Sequence, residues 1–236
     1  LQAVGMGGTA VIILLLFMQS TLAGGATFND SGQRLGGTTT FDVALGDVDG
    51  DNDLDAIMAN STNNRLWRNE AGIFSNSGQA IGTEDSRGIA LADLNNDTFL
   101  DAFVANFDAD NEVWLNDGLG TFTLKVQTMN PLTESLDVAL GNLDGDSFPD
   151  AFVANDGANE VWLNDGTAAF SRSQTLGGDD SSREVALGDV DGDNDLDAYV
   201  ANGSTGGEMD EMWINQGVMQ GGIAGSFVAS GQSLDK

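Results

Sequence analysis

The sequence predicts an all-β repeat protein. An apolar N-terminal segment, residues 1–26, is followed by four units of four short strands over residues 27–236. Three observations carry this. A nine-residue acidic loop recurs, starting at residues 47, 93, 142 and 189, with a period of 46 to 49 residues. A fixed period of that size marks a propeller, a solenoid or an array. The runs between loops are short, β-rich and punctuated by Asn, Asp and Gly, with no helical periodicity. All four Trp residues of the chain fall at one place in the repeat.

The elements follow in chain order. Residues 1–29 carry no charge, and Val11–Met18 is strongly apolar. Three roles stay open for this segment: a secretory signal, a membrane anchor, or an assembly element buried against other subunits. Its strongest run is short of the roughly 20 residues that span a bilayer, so a membrane is a partner only if flanking small residues extend it into an anchor. Each unit then opens with an apolar strand: Val43-Ala44-Leu45, Ile89-Ala90-Leu91, Val138-Ala139-Leu140 and Val185-Ala186-Leu187. The acidic loop comes next. A second strand leaves it, at Ala56–Asn60, Ala102–Asn106, Ala151–Asn155 and Ala198–Asn202. The third strand carries Trp67, Trp114, Trp162 or Trp213, expected to be largely buried between units. After a Gly-containing turn, Phe74, Phe122, Phe170 or Phe227 opens a more polar fourth strand. A surplus copy of that strand, Phe28–Leu35, precedes the first unit, so four inner triplets have five candidate outer strands.

The loops carry the chemistry. The first is Asp47-Val-Asp49-Gly-Asp51-Asn-Asp53-Leu-Asp55, and the fourth, Asp189 to Asp197, repeats it residue for residue through Asp191, Asp193 and Asp195. The second runs from Asp93 through Asn95, Asp97 and Phe99 to Asp101, and the third from Asn142 through Asp144, Asp146 and Phe148 to Asp150. Oxygen side chains stand at positions 1, 3, 5 and 9 of all four. Carboxylates this close repel unless a cation sits among them. Calcium suits such a loop because it takes six to eight oxygens in flexible geometry. The expected ligands are the side chains at positions 1, 3, 5 and 9 and the backbone carbonyl at position 7, which tolerates Asp53, Phe99, Phe148 or Asp195. About four Ca2+ ions are expected. The two loops with five carboxylates should bind more tightly than the other two. These are not EF-hand loops, which need flanking helices, Gly at position 6 and Glu at position 12.

The run of loop, Asp-Ala-Phe-Val-Ala-Asn, Asn-Glu-Val-Trp-Leu-Asn-Asp-Gly and Phe closely resembles the FG-GAP/VCBS repeat family, also found in the integrin α-subunit head. The resemblance covers residues 28 to 234. It implies four-stranded antiparallel β-propeller blades with calcium in the loop between the first two strands. It also implies an extracellular binding or structural role more often than catalysis. Rings of this family have about seven blades, and this chain has four units.

Composition narrows the function. The net charge is −29, and the four loops hold sixteen of the 37 acidic residues. Such a surface repels phosphate backbones, which argues against nucleic-acid binding. With neither Cys nor His, the chain lacks zinc sites, thiol nucleophiles and His-based triads. No carboxylate pair stands apart from the repeat as a glycosidase would need, so no enzymatic activity is expected. Sequons at Asn29, Asn60, Asn96 and Asn202 could carry surface glycans. The reading is a secreted or cell-surface calcium-stabilised structural or adhesive protein, a filament subunit whose copies join head to tail. The alternative is an extracellular carbohydrate- or protein-binding module.

Overall fold

The computed structural model describes residues 29–129, 134–178, 181–203, 209–217, 223 and 225–231. Within them the chain forms sixteen strands in four sheets of four. The first sheet holds β1 (Thr40–Gly46), β2 (Asp55–Asn60), β3 (Arg65–Glu70) and β4 (Ile73–Ala80). The second holds β5 (Asp85–Ala92), β6 (Asp101–Phe107), β7 (Glu112–Asn116) and β8 (Phe122–Lys125). The third holds β9 (Ser135–Gly141), β10 (Asp150–Asn155), β11 (Asn159–Asn164) and β12 (Phe170–Leu176). The fourth holds β13 (Ser182–Gly188), β14 (Asp197–Asn202), β15 (Glu211–Asn215) and β16 (Phe227–Ala229). Every sheet is an antiparallel meander in chain order. The expected four-stranded units are therefore present, with the acidic loop joining the first two strands of each. The apolar segment 1–26 lies outside the described residues, and among those described no helix is long and apolar enough to cross a membrane.

The register explains the repeated composition. Each Trp stands opposite the small Ala that is the second residue of the second strand: Ala56 faces Trp67, Ala102 faces Trp114, Ala151 faces Trp162 and Ala198 faces Trp213. A bulky indole beside a methyl group fills the space between sheets without overpacking. The first strand of each sheet slips register near its start, between Thr40 and Asp42 in β1 and between Ser86 and Gly88 in β5. Such a bulge re-aims the following side chain. Asp42 and Asp137 use it to reach the neighbouring sheet, accepting the backbone N–H of Ile89 and Val185 at 2.9 Å each.

Packing runs from sheet to sheet rather than into one central core. Val48, Ile57, Ala59 and Leu66 of the first sheet meet Ile89, Ala102, Val104 and Phe122 of the second, with Ile81 from the connection between them. Leu94, Phe103, Ala105 and Val113 repeat that pattern against the third sheet, and Leu143, Phe152, Ala154 and Val161 against the fourth. Each large buried side chain contributes about 1.5–3 kcal/mol, so these three interfaces are the main stabilising element. The inner strands pack in the order β1, β5, β9, β13, and no comparable packing among the described residues joins β13 back to β1.

A glutamine in β4 and in β12, and Gln127 just after β8, fasten these three outer strands to the next sheet. Gln79 donates to Phe122 O at 2.6 Å and accepts the Phe122 N–H, and Gln174 does the same with Phe227. Gln33, in the surplus copy before the first sheet, donates to Gly72 O and accepts the Phe74 N–H. Residues 29–35 form no strand, so the expected fifth outer strand is not made by them; the Gln33 clasp holds them beside β4.

Candidate metal centres

The four loops share one backbone design. The position-1 side chain turns inward and accepts backbone N–H groups of its own loop. Asp47 takes those of Gly50 and Asn52, and Asp189 takes those of Gly192 and Asn194. Asp93 accepts from Asp97 and Thr98, and Asn142 accepts from Gly145. Positions 4 and 6 adopt left-handed backbone: Gly50 and Asn52 at φ 81° and 71°, Asn96 and Thr98 at 62° and 78°. Two left-handed residues flanking position 5 curl the chain round a point, which explains the small and amide residues there. The position-5 carboxylate then accepts the N–H of position 7, as in Asp51 from Asp53 and Asp146 from Phe148.

Position 9 is the anchor. Asp55, Asp101, Asp150 and Asp197 are fully buried. One oxygen of each accepts the N–H of position 2: Val48, Leu94, Leu143 and Val190. The other accepts the N–H of the asparagine closing the third strand: Asn69, Asn116, Asn164 and Asn215. Burial pushes the carboxyls of Asp101 and Asp150 up to about 6, and raises that of Asp55. A bound cation would offset that burial and hold the groups ionised.

Three of the predicted side-chain ligands converge in loops 1 and 4, without the position-5 carboxylates Asp51 and Asp193; the carboxylates of loops 2 and 3 form no such group among the described residues. In loop 1 an oxygen from each of Asp47, Asp49 and Asp55 lies within 4.8 Å of the others, and in loop 4 the same holds for Asp189, Asp191 and Asp197. Loops 2 and 3 replace one carboxylate with Asn95 or Asn142. At ligand positions 3 and 5, Asp49 Oδ1 and Asp193 Oδ2 are buried acceptors with no hydrogen-bond donor. Buried oxygens with no donor, in an all-oxygen set, fit a hard cation such as calcium. At position 7 the side chains serve a different purpose. The rings of Phe99 and Phe148 lie so close to Gly118 and Gly166, both at positive φ, that a Cβ there would sit 2.4 and 2.6 Å from them. Asp53 instead accepts the Ala71 N–H at 2.7 Å. In loops 1, 2 and 3 the position-7 side chain is thus spent on the neighbouring turn.

Several partners of the site were not evident from spacing alone. Asn116, Asn164 and Asn215 also donate their side-chain amides to the position-2 carbonyls of the preceding loop: Val48, Leu94 and Leu143, at 2.8 to 2.9 Å. Loops 1, 2 and 3 are thereby each bonded to the next sheet. The signal was present as an in-register Asn two residues after every Trp.

The other expectations divide. Trp162 and Trp213 are buried, but Trp67 and Trp114 are only half-buried. Of the four sequons, Asn29 and Asn96 are exposed. Asn60 is not a surface position: it is buried, and its amide donates to Met58 O and Asn63 O. Asn202 likewise spends its amide on Met209 O. The strand-end geometry that made these two look equivalent also folds their amides back onto the turn.

A model of the FG-GAP-like repeat family matches the chain three times, over residues 47–104, 93–153 and 142–200. No curated protein matches it. Among solved structures, a lectin of Agrocybe aegerita, described for specific recognition of non-reducing terminal N-acetylglucosamine, is 20% identical with a TM-score of 0.50 over 78% of this chain. A chain of the BBS1N complex with ARL6DN is 12% identical with a TM-score of 0.53 over 89% of this chain. This chain spans 49% and 59% of those two chains, about half their length. These likenesses bear on the fold alone.

Proposed function

The chain belongs to the FG-GAP-like repeat family, and from that premise we propose that it is an extracellular, calcium-stabilised structural or adhesive module. The donor-less buried carboxylate oxygens of loops 1 and 4 carry this reading. Asp47, Asp49, Asp51 and Asp55, with the carbonyl of residue 53, would hold one ion; Asp189, Asp191, Asp193 and Asp197, with the carbonyl of residue 195, another. Asp93, Asn95, Asp97 and Asp101, and Asn142, Asp144, Asp146 and Asp150, supply the same positions in loops 2 and 3. A bound ion would neutralise carboxylates that otherwise repel, and in loops 1, 2 and 3 would tighten a loop whose position 2 is bonded to the next sheet. Millimolar calcium outside cells would fill such loops without tight affinity. On this reading the acids serve metal and fold, not catalysis.

Calorimetric titration of chelator-treated protein tests the reading. Uptake of about four Ca2+ per chain, with a rise in melting temperature by mass action, is expected. Identical melting in millimolar calcium and in chelator would remove it. A carbohydrate-binding role is the second reading, favoured by the fold shared with the Agrocybe aegerita lectin. A glycan array probed with the calcium-loaded chain separates the two.

A further inference from the structure

Loops 1 and 4 have the same nine residues, yet their surroundings differ in charge. Arg68, in β3, follows Trp67, and the equivalent residues in the other sheets are Leu115, Leu163 and Ile214. Its Nη1 lies 3.7 Å from Oδ2 of Asp49, the position-3 carboxylate of loop 1. Its Nη2 donates to Leu119 O at 2.7 Å and Gly120 O at 3.3 Å, in the turn after β7 of the second sheet. Gly120 leaves room for it: at φ 72°, a Cβ there would come within 2.8 Å of Nη2. The guanidinium is thus held in place between a loop carboxylate and two carbonyls of the next sheet. Among the described residues, no other cation forms an ion pair with a loop carboxylate.

We infer that Arg68 is a built-in competitor for the loop 1 cation, which makes the two identical loops unequal: loop 4 is the tighter calcium site and loop 1 the weaker one. This rests on the calcium reading given above. A divalent ion on Asp49 must share that carboxylate with a guanidinium and sit near its charge. Ile214 imposes no such repulsion at loop 4. Because the guanidinium is fixed by Leu119 O and Gly120 O, it does not swing away freely, and the penalty persists. A fixed unit charge several ångströms from a divalent ion, in a high-dielectric setting, lowers its affinity by about tenfold at low salt. The gap should narrow as salt screens it, the Debye length being about 10 Å at 0.1 M.

The test is a calcium titration of the full chain at low ionic strength, followed through the amide resonances of Gly50 and Gly192. These glycines hold position 4 of the two loops, and each donates to its position-1 aspartate. The expected midpoint at Gly192 lies about tenfold below that at Gly50. Arg68→Gln, which removes the charge, should bring the Gly50 midpoint to that of Gly192 and leave Gly192 in place. Arg68→Lys, which keeps the charge, should leave the two separated. Coincident wild-type midpoints, or a Gly50 midpoint unmoved by Arg68→Gln, would overturn the inference. So would equal effects of Arg68→Gln and Arg68→Lys, which would trace the gap to the clasp on the second sheet. If neither resonance moves in millimolar calcium, the calcium reading itself fails, a distinguishable result.

Discussion

Arg65 stands where the other three sheets place a glutamate. In those sheets Glu112, Glu160 and Glu211 accept the indole N–H of Trp114, Trp162 and Trp213 at 3.0 to 3.1 Å. An arginine has no acceptor to offer, and both Arg65 Nε and Trp67 Nε1 are buried without a partner. Leaving such groups unmatched costs about 1–3 kcal/mol each. Arg65→Glu should therefore stabilise the protein by about 1 kcal/mol, seen as a higher denaturant midpoint with an unchanged slope. Truncating the tryptophans should separate by burial. Trp162, 5% exposed, should lose about 3–5 kcal/mol on replacement by Ala, and half-buried Trp114 clearly less. Asp137 adds a pH term. Burial first, and then the Asp42 carboxylate, push its carboxyl up to about 8 from an ordinary 3.8. Between these values the folded chain keeps a proton that the unfolded chain has lost, so this contribution to stability falls as pH rises and is gone above pH 8. Melting profiles in chelator should accordingly show a flatter decline from pH 5 to 8.5 for Asp137→Asn than for wild type. Parallel profiles would remove Asp137 as the cause.

At the level of strands and loops, the bonds that matter most cross between sheets. Asn164 donates to Leu94 O of the preceding loop and to Pro149 O of its own sheet, at 2.9 and 3.1 Å. Asn164→Ala would take this donor from Pro149 O and cut the bond between sheets at Leu94 O, which keeps only the Ala168 N–H at 2.9 Å. A loss of about 2 kcal/mol is expected, and chemical denaturation in excess calcium would measure it; a neutral substitution would show that water takes over. This layer was the least legible in the sequence. The strands, the loops and the in-register tryptophans were readable because each is a local pattern repeated four times. The second role of position 9 was not, since an aspartate in an acidic loop reads first as a ligand, while its buried bonds go to residues 7 and 14 to 18 positions away. The glutamine clasps join residues 39 to 53 apart, distances at which spacing carries no register. Asn60 misled for the same reason: a sequon reports composition, whereas its accessibility depends on how the β2–β3 turn folds back.

Among the described residues, the three interfaces between sheets show what the outer face of the fourth sheet lacks. Position 2 of each loop plugs the interface with the following sheet. Val48, Leu94 and Leu143 are 1%, 0% and 2% exposed, whereas Val190 of the fourth sheet is 54% exposed. Tyr199, Ala201 and Met212, the fourth-sheet counterparts of residues buried in the other interfaces, are only half-buried. The leading face of the first sheet presents Met58 and Trp67, also half-buried, at positions that elsewhere receive a preceding sheet. We propose that such a face, shaped to be covered by the next repeat, would be met in kind by the leading face of a second copy. That contact is heterologous, so repeated copies extend head to tail unless the rotation closes. The expected outcome is concentration-dependent association in sedimentation velocity at millimolar calcium, where neutralised loops reduce the repulsion between chains of net charge −29. Val190→Asp should abolish it without altering the melting of the monomer, because Val190 supports no internal interface among the described residues. Monomers at every concentration, for wild type as for Val190→Asp, would sink the head-to-tail assembly and leave a module that works alone.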